Sequence, residues 1–253
     1  MMHSFPNVRI GLMVGIGGGV PSSRHDIRLG DIVVSAPRDA GGGVFQYDFG
    51  KTIQDQTFRH TGFLNQPPPV LRTAVNGIRA RYEKAGHTIQ EDVRKVFEQN
   101  PRLRKKYSQP EPGSDRLYQS EYPHPGNAEA SCAVVCDASQ LVERPERTEH
   151  EDTPAVYYGL IASGSRLMKD ALARDKLAAE KDVLCFEMEA AGLVNNFPCL
   201  VVRGICDYSD SHKNKEWQGY AAMVAAAYAK DLLNRIVPNR LEAEKKLSET
   251  LSG

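Results

Sequence analysis

The chain has 253 residues, 32 of them basic and 32 acidic, and 41% of it is hydrophobic. A formal charge of zero leaves no global field to recruit nucleic acid or an anionic membrane surface. No apolar run approaches the ~20 residues of a membrane helix, and no signal-peptide core opens the chain. One large core is the default at this length. Cys185, Cys199 and Cys206 lie in or beside apolar runs, where a thiol behaves as a small hydrophobe, and a reducing, cytoplasmic setting is expected. Cys132 and Cys136 lack zinc-knuckle spacing and no nearby His pair completes a set, so neither metal nor organic cofactor is expected.

In chain order, an apolar strand over 8–14 breaks into Gly15-Ile16-Gly17-Gly18-Gly19-Val20-Pro21, and a second strand covers 27–35. Residues 37–69 read as a long excursion rich in Gly, aromatics and Pro. Pro69 suits the first position of a helix that ends at Gly86. Residues 88–150 are polar and Pro-rich and read as a surface insertion, with the basic run Arg102 to Lys106 as a solvated face. Regular structure resumes with a strand at 156–163, a helix at 165–180 and a strand at 183–186. A short helix from about 188, a strand at 199–205 and a long helix from about 215 to 236 follow. Strands alternating with helices imply an α/β fold with a sheet covered on both faces. The domain is expected over 1–236, with 237–253 as a charged tail or linker.

The glycine run does not fit the dinucleotide fingerprint, because the third glycine's place falls on Val20 and no helix follows. No P-loop sequence is present. Both a tight turn and a backbone approach to a ligand fit these glycines. Ser163-Gly164-Ser165 lacks the frame of a nucleophile elbow. His212, beside Lys213 and Lys215, reads as part of an exposed loop, and His60, His87, His124 and His150 lie in polar segments without ligand spacing.

Two apolar runs end in acid: VLCF runs into Glu187-Met188-Glu189, and CLVVRGIC into Asp207. Ionised carboxylates at the ends of buried strands are costly unless paired or used. Each can cap a helix start, the reading favoured for Glu187. If both strands end at one sheet edge, where α/β folds bind ligands, the acids also suit cleavage of a glycosidic bond.

The segments VGIGGGVPSSRHDIRLGDIVVS, GLIASGSRLMKD, CFEMEAAGL and VVRGICDYSD resemble the nucleoside phosphorylase superfamily of purine nucleoside phosphorylases and methylthioadenosine nucleosidases. More narrowly they resemble its fungal branch, often fused to NACHT or repeat domains. The resemblance implies a three-layer α/β/α fold with a central mixed sheet, and a homo-oligomer, which the apolar residues around 45–64 could serve. It implies that Glu189 binds the ribose hydroxyls, that Met188 packs on the sugar, and that Gly17 and Gly18 line the anomeric centre. Leu167 and Met168 would hold the base, and Asp207 would give a proton to purine N7. Apolar Ile205 and Cys206 before Asp207 favour the protonated carboxyl by desolvation.

Two departures bear on the reaction. Met13 stands where the phosphorylases place a phosphate-binding Arg, which favours water as nucleophile unless Arg24 supplies the cation. The family's opening strands, and the loop with the nucleosidases' water-activating Glu, would precede residue 8, so an N-terminally incomplete domain is expected. The reading is a purine nucleosidase acting on a nucleoside or nucleotide, with Arg24, His25 or the 102–106 run as possible contacts to a phosphate tail. Its alternatives are phosphorolysis and a catalytically silent sensing or effector domain of a NACHT-type protein.

Overall fold

A computed structural model describes residues 7–37, 41–54, 58–126, 130–212 and 215–246. The fold is α/β, with a mixed sheet and flanking helices. The strands are β1 (Gly11–Gly19), β2 (Ile32–Ser35), β3 (Val44–Gln46), β4 (Gly50–Lys51), β5 (Arg59–His60), β6 (Val156–Ser163), β7 (Val183–Glu187) and β8 (Cys199–Asp207). The helices are α1 (Pro69–Ala85), α2 (Ile89–Gln99), α3 (Arg104–Tyr107), α4 (Cys132–Val135), α5 (Ala171–Lys181), α6 (Trp217–Leu233) and α7 (Pro238–Ala243).

The six-stranded sheet has the order β2-β8-β1-β7-β6-β3 and curls until β2 also pairs with β6. Two parallel blocks make it up. β1 and β8 form one, and β2, β3, β6 and β7 form the other. The blocks meet antiparallel at two seams, β2 with β8 and β1 with β7. β4 and β5 form a separate small ribbon. Strands β2, β7 and β8 are buried almost throughout, as expected for a sheet covered by helices.

Helix α6 lies on β8 and β1 and carries the other helical packing. Trp217, Tyr220, Ala221, Val224, Ala225, Tyr228, Ala229 and Leu232 recur at helical spacing and are all buried. It meets the sheet at Gly204, where a Cβ would stand 1.9 Å from the carbonyl oxygen of Ala221. Only a residue without a side chain lets the helix backbone rest on β8 there.

Several elements differ from the sequence expectation. The glycine run is no turn: β1 continues through Gly19 because β8 and β7 supply backbone partners on both sides. The second strand is confined to Ile32–Ser35, since Gly30 (φ +88°) turns the chain just before it. Within 88–150, α2 was not anticipated. Ile89 and Val93, four apart, are buried, and the helix packs on α6. The helix expected over 165–180 begins only at Ala171, capped by Asp170, whose side chain accepts from the Ala173 amide at 3.0 Å. After β7 only a 3₁₀ turn, Ala190–Gly192, forms in place of a helix. The basic run is solvent-exposed at Arg102, Arg104, Lys105 and Lys106. The end of the charged tail, 247–253, falls outside the described residues. No helix among the described residues is long and apolar enough to cross a membrane.

Replacing Gly204 by Ala forces α6 off the sheet, and overpacking of this kind costs about 1–3 kcal/mol. Urea denaturation of Gly204→Ala measures the loss; an unchanged midpoint would show that the helix does not rest on this glycine.

Candidate active site

The β1–β7 seam is where the sequence-predicted residues meet. Gly18 is in register with Asp207 on β8 and with Phe186 on β7, and the β1–β8 register slips between Gly17 and Gly18. β7 runs against β1 and β8, so Glu187 and Asp207 do not come from two strands ending side by side on one edge, as the sequence reading supposed. They converge because β7 touches β1 only at Gly18 and Gly19. A Cβ on Gly18 would stand 2.1 Å from Ser209 Oγ and 2.6 Å from Asp207 Oδ1. The glycine therefore makes room for the acid.

Asp207 closes β8, and its Oδ1 accepts from the Ser209 amide at 3.0 Å. That turn holds Ser209 at φ +54°, a left-handed conformation uncommon for a residue with a side chain. The Ser209 hydroxyl is buried and has no hydrogen-bond partner among the described residues. Strain and an unsatisfied polar group side by side are features that collect at functional sites.

The other two acids divide their work. The Glu187 carboxylate is buried and accepts from the backbone amides of Glu189 (3.1 Å) and Ala190 (3.1 and 3.2 Å) and from the Arg203 guanidinium. It is the support of the 3₁₀ turn. Glu189 has a side chain 63% exposed and is also held by Arg203, at 2.9 Å. Most of its acceptor capacity is open to a ligand. Arg203 is buried, and its guanidinium fits only because Gly15 lies opposite it on β1. A Cβ there would come within 2.2 Å of Nη1.

The turn after β6 forms the remaining wall. Asp48 accepts from both the Ser165 amide and the Ser165 hydroxyl at 2.6 Å, and the Tyr47 hydroxyl donates to the Arg166 carbonyl. Ser163 Oγ accepts from the Ala191 amide at 2.8 Å, tying this turn to the one after β7. Leu167 is left half-exposed, and Met168 packs on the apolar cluster of Val20, Ala162, Val183 and Phe186.

All seven sequence-predicted residues, Gly17, Gly18, Leu167, Met168, Met188, Glu189 and Asp207, line one cleft of about 160 Å³. Arg166, Ser209 and Gln218 line it as well and were missed. Arg166 and Ser209 lie within the motifs that carry the family resemblance, while nothing in the sequence marks Gln218 at the start of α6. Arg203, also within one of those motifs, was not recognised as the residue that orients both glutamates. Arg24 and His25 line other cavities, with His25 3.3 Å from Asp182. Met13 packs against the main core. His212 is buried, contrary to the exposed loop expected, because it stacks on Tyr118 with ring centroids 4.2 Å apart. Lys213 falls outside the described residues. His124, read as having no ligand companions, lies beside Cys132 and Cys136, with ligand atoms of the three within 4.8 Å of one another.

Two measurements check this geometry. Arg203→Leu leaves Glu187 buried without its cation, and breaking a buried pair costs about 3–5 kcal/mol; chemical denaturation showing a loss well under ~1 kcal/mol would count against the pairing. Partial burial raises the Asp48 carboxyl, but the hydrogen bonds from Ser165 outweigh it and hold it below its ordinary value of 3.8. Its hold on the turn is then complete above that pH and is lost only as pH falls through the lower folded value. The Ser165 amide resonance should titrate with a midpoint below 3.8; a midpoint above it would contradict the assignment.

No family model matches the chain. Over 245 residues it is 46% identical to a nucleotide-binding leucine-rich repeat (NLR)-like protein of Hyaloscypha variabilis, covering 97% of this chain and 23% of that protein. Over 101 residues it is 33% identical to the Escherichia coli ATP nucleosidase Cap17, covering 36% of this chain and 20% of that one. The chain thus spans less than a quarter of the length of either curated relative. Among solved structures, futalosine hydrolase of Helicobacter pylori matches at 15% identity with a TM-score of 0.48, covering 92% of this chain and 71% of that one. A mutant of the nucleosidase MTAN from the same organism, with 5′-methylthioadenosine in its active site, matches at 14% and 0.47, with the same coverage. About a third of the chain is thus similar to a protein named an ATP nucleosidase, and most of its length is matched within a longer fungal NLR-like protein.

Proposed function

We propose that the chain is a purine nucleosidase domain, hydrolysing the N-glycosidic bond of a purine nucleoside or nucleotide. The observation that carries this reading is the convergence of Glu189, Met188, Gly17, Gly18, Leu167, Met168 and Asp207 on one cleft. Glu189 accepts from the ribose 2′- and 3′-hydroxyls, and Met188, 45% exposed, packs against the sugar. Gly17 and Gly18 bring bare backbone to the anomeric carbon. Leu167 and Met168 flank the base, and Asp207 donates a proton to N7 as the base departs, sparing the purine its negative charge.

The cleft of about 160 Å³ is smaller than the ~300–1,000 Å³ that usually encloses a whole ligand. It suits the base and sugar at the reacting bond, with the 5′ substituent outside the enclosed part. Arg166, exposed and lining the cleft, offers a cation to a phosphate tail. The likeness to a protein named an ATP nucleosidase supports including nucleotides among the substrates. Arg203 is engaged by Glu187 and Glu189 and is not placed to bring in phosphate as nucleophile. That supports hydrolysis over phosphorolysis.

Incubation with adenosine, inosine, guanosine and ATP, with and without phosphate, should release free base equally in both, followed by chromatography. Strict dependence on phosphate would overturn hydrolysis. Asp207→Asn should slow release by about 10²–10⁴-fold, the usual worth of a general acid; undiminished release would remove Asp207 from its role.

A further inference from the structure

The segment between α3 and β6 brings together groups that the cleft does not use. Cys132 opens α4 and Cys136 follows its last residue, four positions on, which brings the two thiols to one side of this turn. His124 completes a three-residue set, with the ligand atoms of His124, Cys132 and Cys136 mutually within 4.8 Å. Its ring is already oriented: Nε2 lies 3.1 Å from the Ala130 carbonyl, to which it can only donate. That fixes the proton on Nε2 and leaves Nδ1 with a lone pair, and Nδ1 is buried without a hydrogen-bond partner among the described residues. A metal-binding imidazole ordinarily has its second nitrogen on such a carbonyl.

His212 adjoins this set. Its ring centroid is 5.6 Å from that of His124, and neither of its ring nitrogens has a hydrogen-bond partner among the described residues although both are buried. Asp210 Oδ2 stands 3.7 Å from Nδ1, beyond hydrogen-bond reach. Leaving both nitrogens of a buried imidazole unsatisfied is costly in the absence of a ligand. Two thiolates and two imidazoles are the donor set of a tetrahedral structural zinc site, and soft sulfur donors select against magnesium and calcium.

We propose that His124, Cys132 and Cys136 bind Zn²⁺, with His212 as the fourth ligand. Each thiol gives up its proton on ligation, and the ion ties the 119–142 segment to the residues that follow β8. The two are already in contact, since the His124 amide donates to Ser211 Oγ at 2.9 Å. Cys132 and His212 also line, with Asp207, a cavity of about 580 Å³. The role is structural: the metal fixes the chain next to Asp207 and takes no part in bond cleavage.

The test uses the full chain without a histidine tag, loaded with zinc and dialysed, and reads bound metal by atomic spectrometry. About one zinc per chain is expected, falling to about a tenth or less in Cys132→Ser/Cys136→Ser, because a structural site is lost with its thiolates. Cobalt loading of the unaltered protein should give thiolate-to-metal charge transfer and the intense visible bands of tetrahedral cobalt, which decides the matter even if the double variant does not fold. His212→Ala should keep the thiolate band and bind zinc about ten-fold or more weakly, and unchanged affinity would overturn the four-ligand set. No retained zinc in the unaltered chain, zinc retained equally without the two thiols, or a Cys132–Cys136 disulfide under reducing conditions would each overturn the proposal. Metal content is read independently of base release, so failure of the nucleosidase reading leaves this result intact.

Discussion

Arg203 is the constraint on which the site depends. Its guanidinium is buried at the β1–β7 seam, and Glu187 and Glu189 are the two carboxylates that face it. Burying ionised groups is expensive, and a pair of this kind adds little net stability over an apolar replacement. What it supplies is geometry. Glu187 spends its remaining capacity on the amides of Glu189 and Ala190, so it is saturated. Glu189 is left with one charged contact and an exposed carboxylate. The same arginine thus makes one acid structural and leaves the other largely exposed, a division that two glutamates separated only by Met188 could not show by themselves.

The glycines of β1 follow from that arrangement. Side chains alternate along a strand, so Arg203 and Ile205 share one face of β8, and the register slip at Cys206 interrupts the alternation before Asp207. The β1 residues against them are Gly15, Gly17, Gly18 and Gly19, and a Cβ would meet Arg203 at the first and Asp207 with Ser209 at the third. β1 is bare of side chains at these glycines so that its neighbour's charged groups have room. On the other face Gly204 does the same for α6. β8 is therefore fixed between a bare strand and a helix backbone, which leaves Asp207 little freedom at its end.

Strands and long helices were legible because burial writes itself as apolar runs and helical periodicity: β6 falls on 156–163 and α1 begins at Pro69, as their sequences imply. The cleft residues were legible through motifs carried by segments far apart in the chain. Less legible was anything decided by pairing across the sheet. Gly15 to Gly19 look like a turn to local propensity, yet two flanking strands hold them extended. The curl of the sheet and the antiparallel seam have no local signature either. His212 read as exposed because Lys213 and Lys215 follow it, whereas its burial comes from Tyr118, far away in the chain.

The polar segment read as a surface insertion is bound into the sheet at several points. Arg147 pairs with buried Asp31, which also accepts from the amides of Arg28 (2.7 Å) and Ala155 (2.9 Å). Arg144 reaches Asp115 at 3.1 Å, and the Tyr208 hydroxyl donates to the same carboxylate. From α5, Arg174 donates to the Tyr208 carbonyl at 2.8 Å and to Ser120 at 3.1 Å. These last bonds, with that from the His124 amide to Ser211 Oγ, converge on Tyr208 to Ser211, the residues immediately after Asp207. In the proposed role of Asp207, a displacement of about an ångström would cost much of its effect, because proton transfer requires alignment with the acceptor. The position of Asp207 is therefore set from two directions. β8 and the glycines of β1 fix it from within the sheet, and a segment with almost no apolar core of its own fixes it from outside. That division explains why so polar a stretch is held by arginines: its contribution is to orient the chain beside Asp207, and charged, directional bonds do that better than apolar contact.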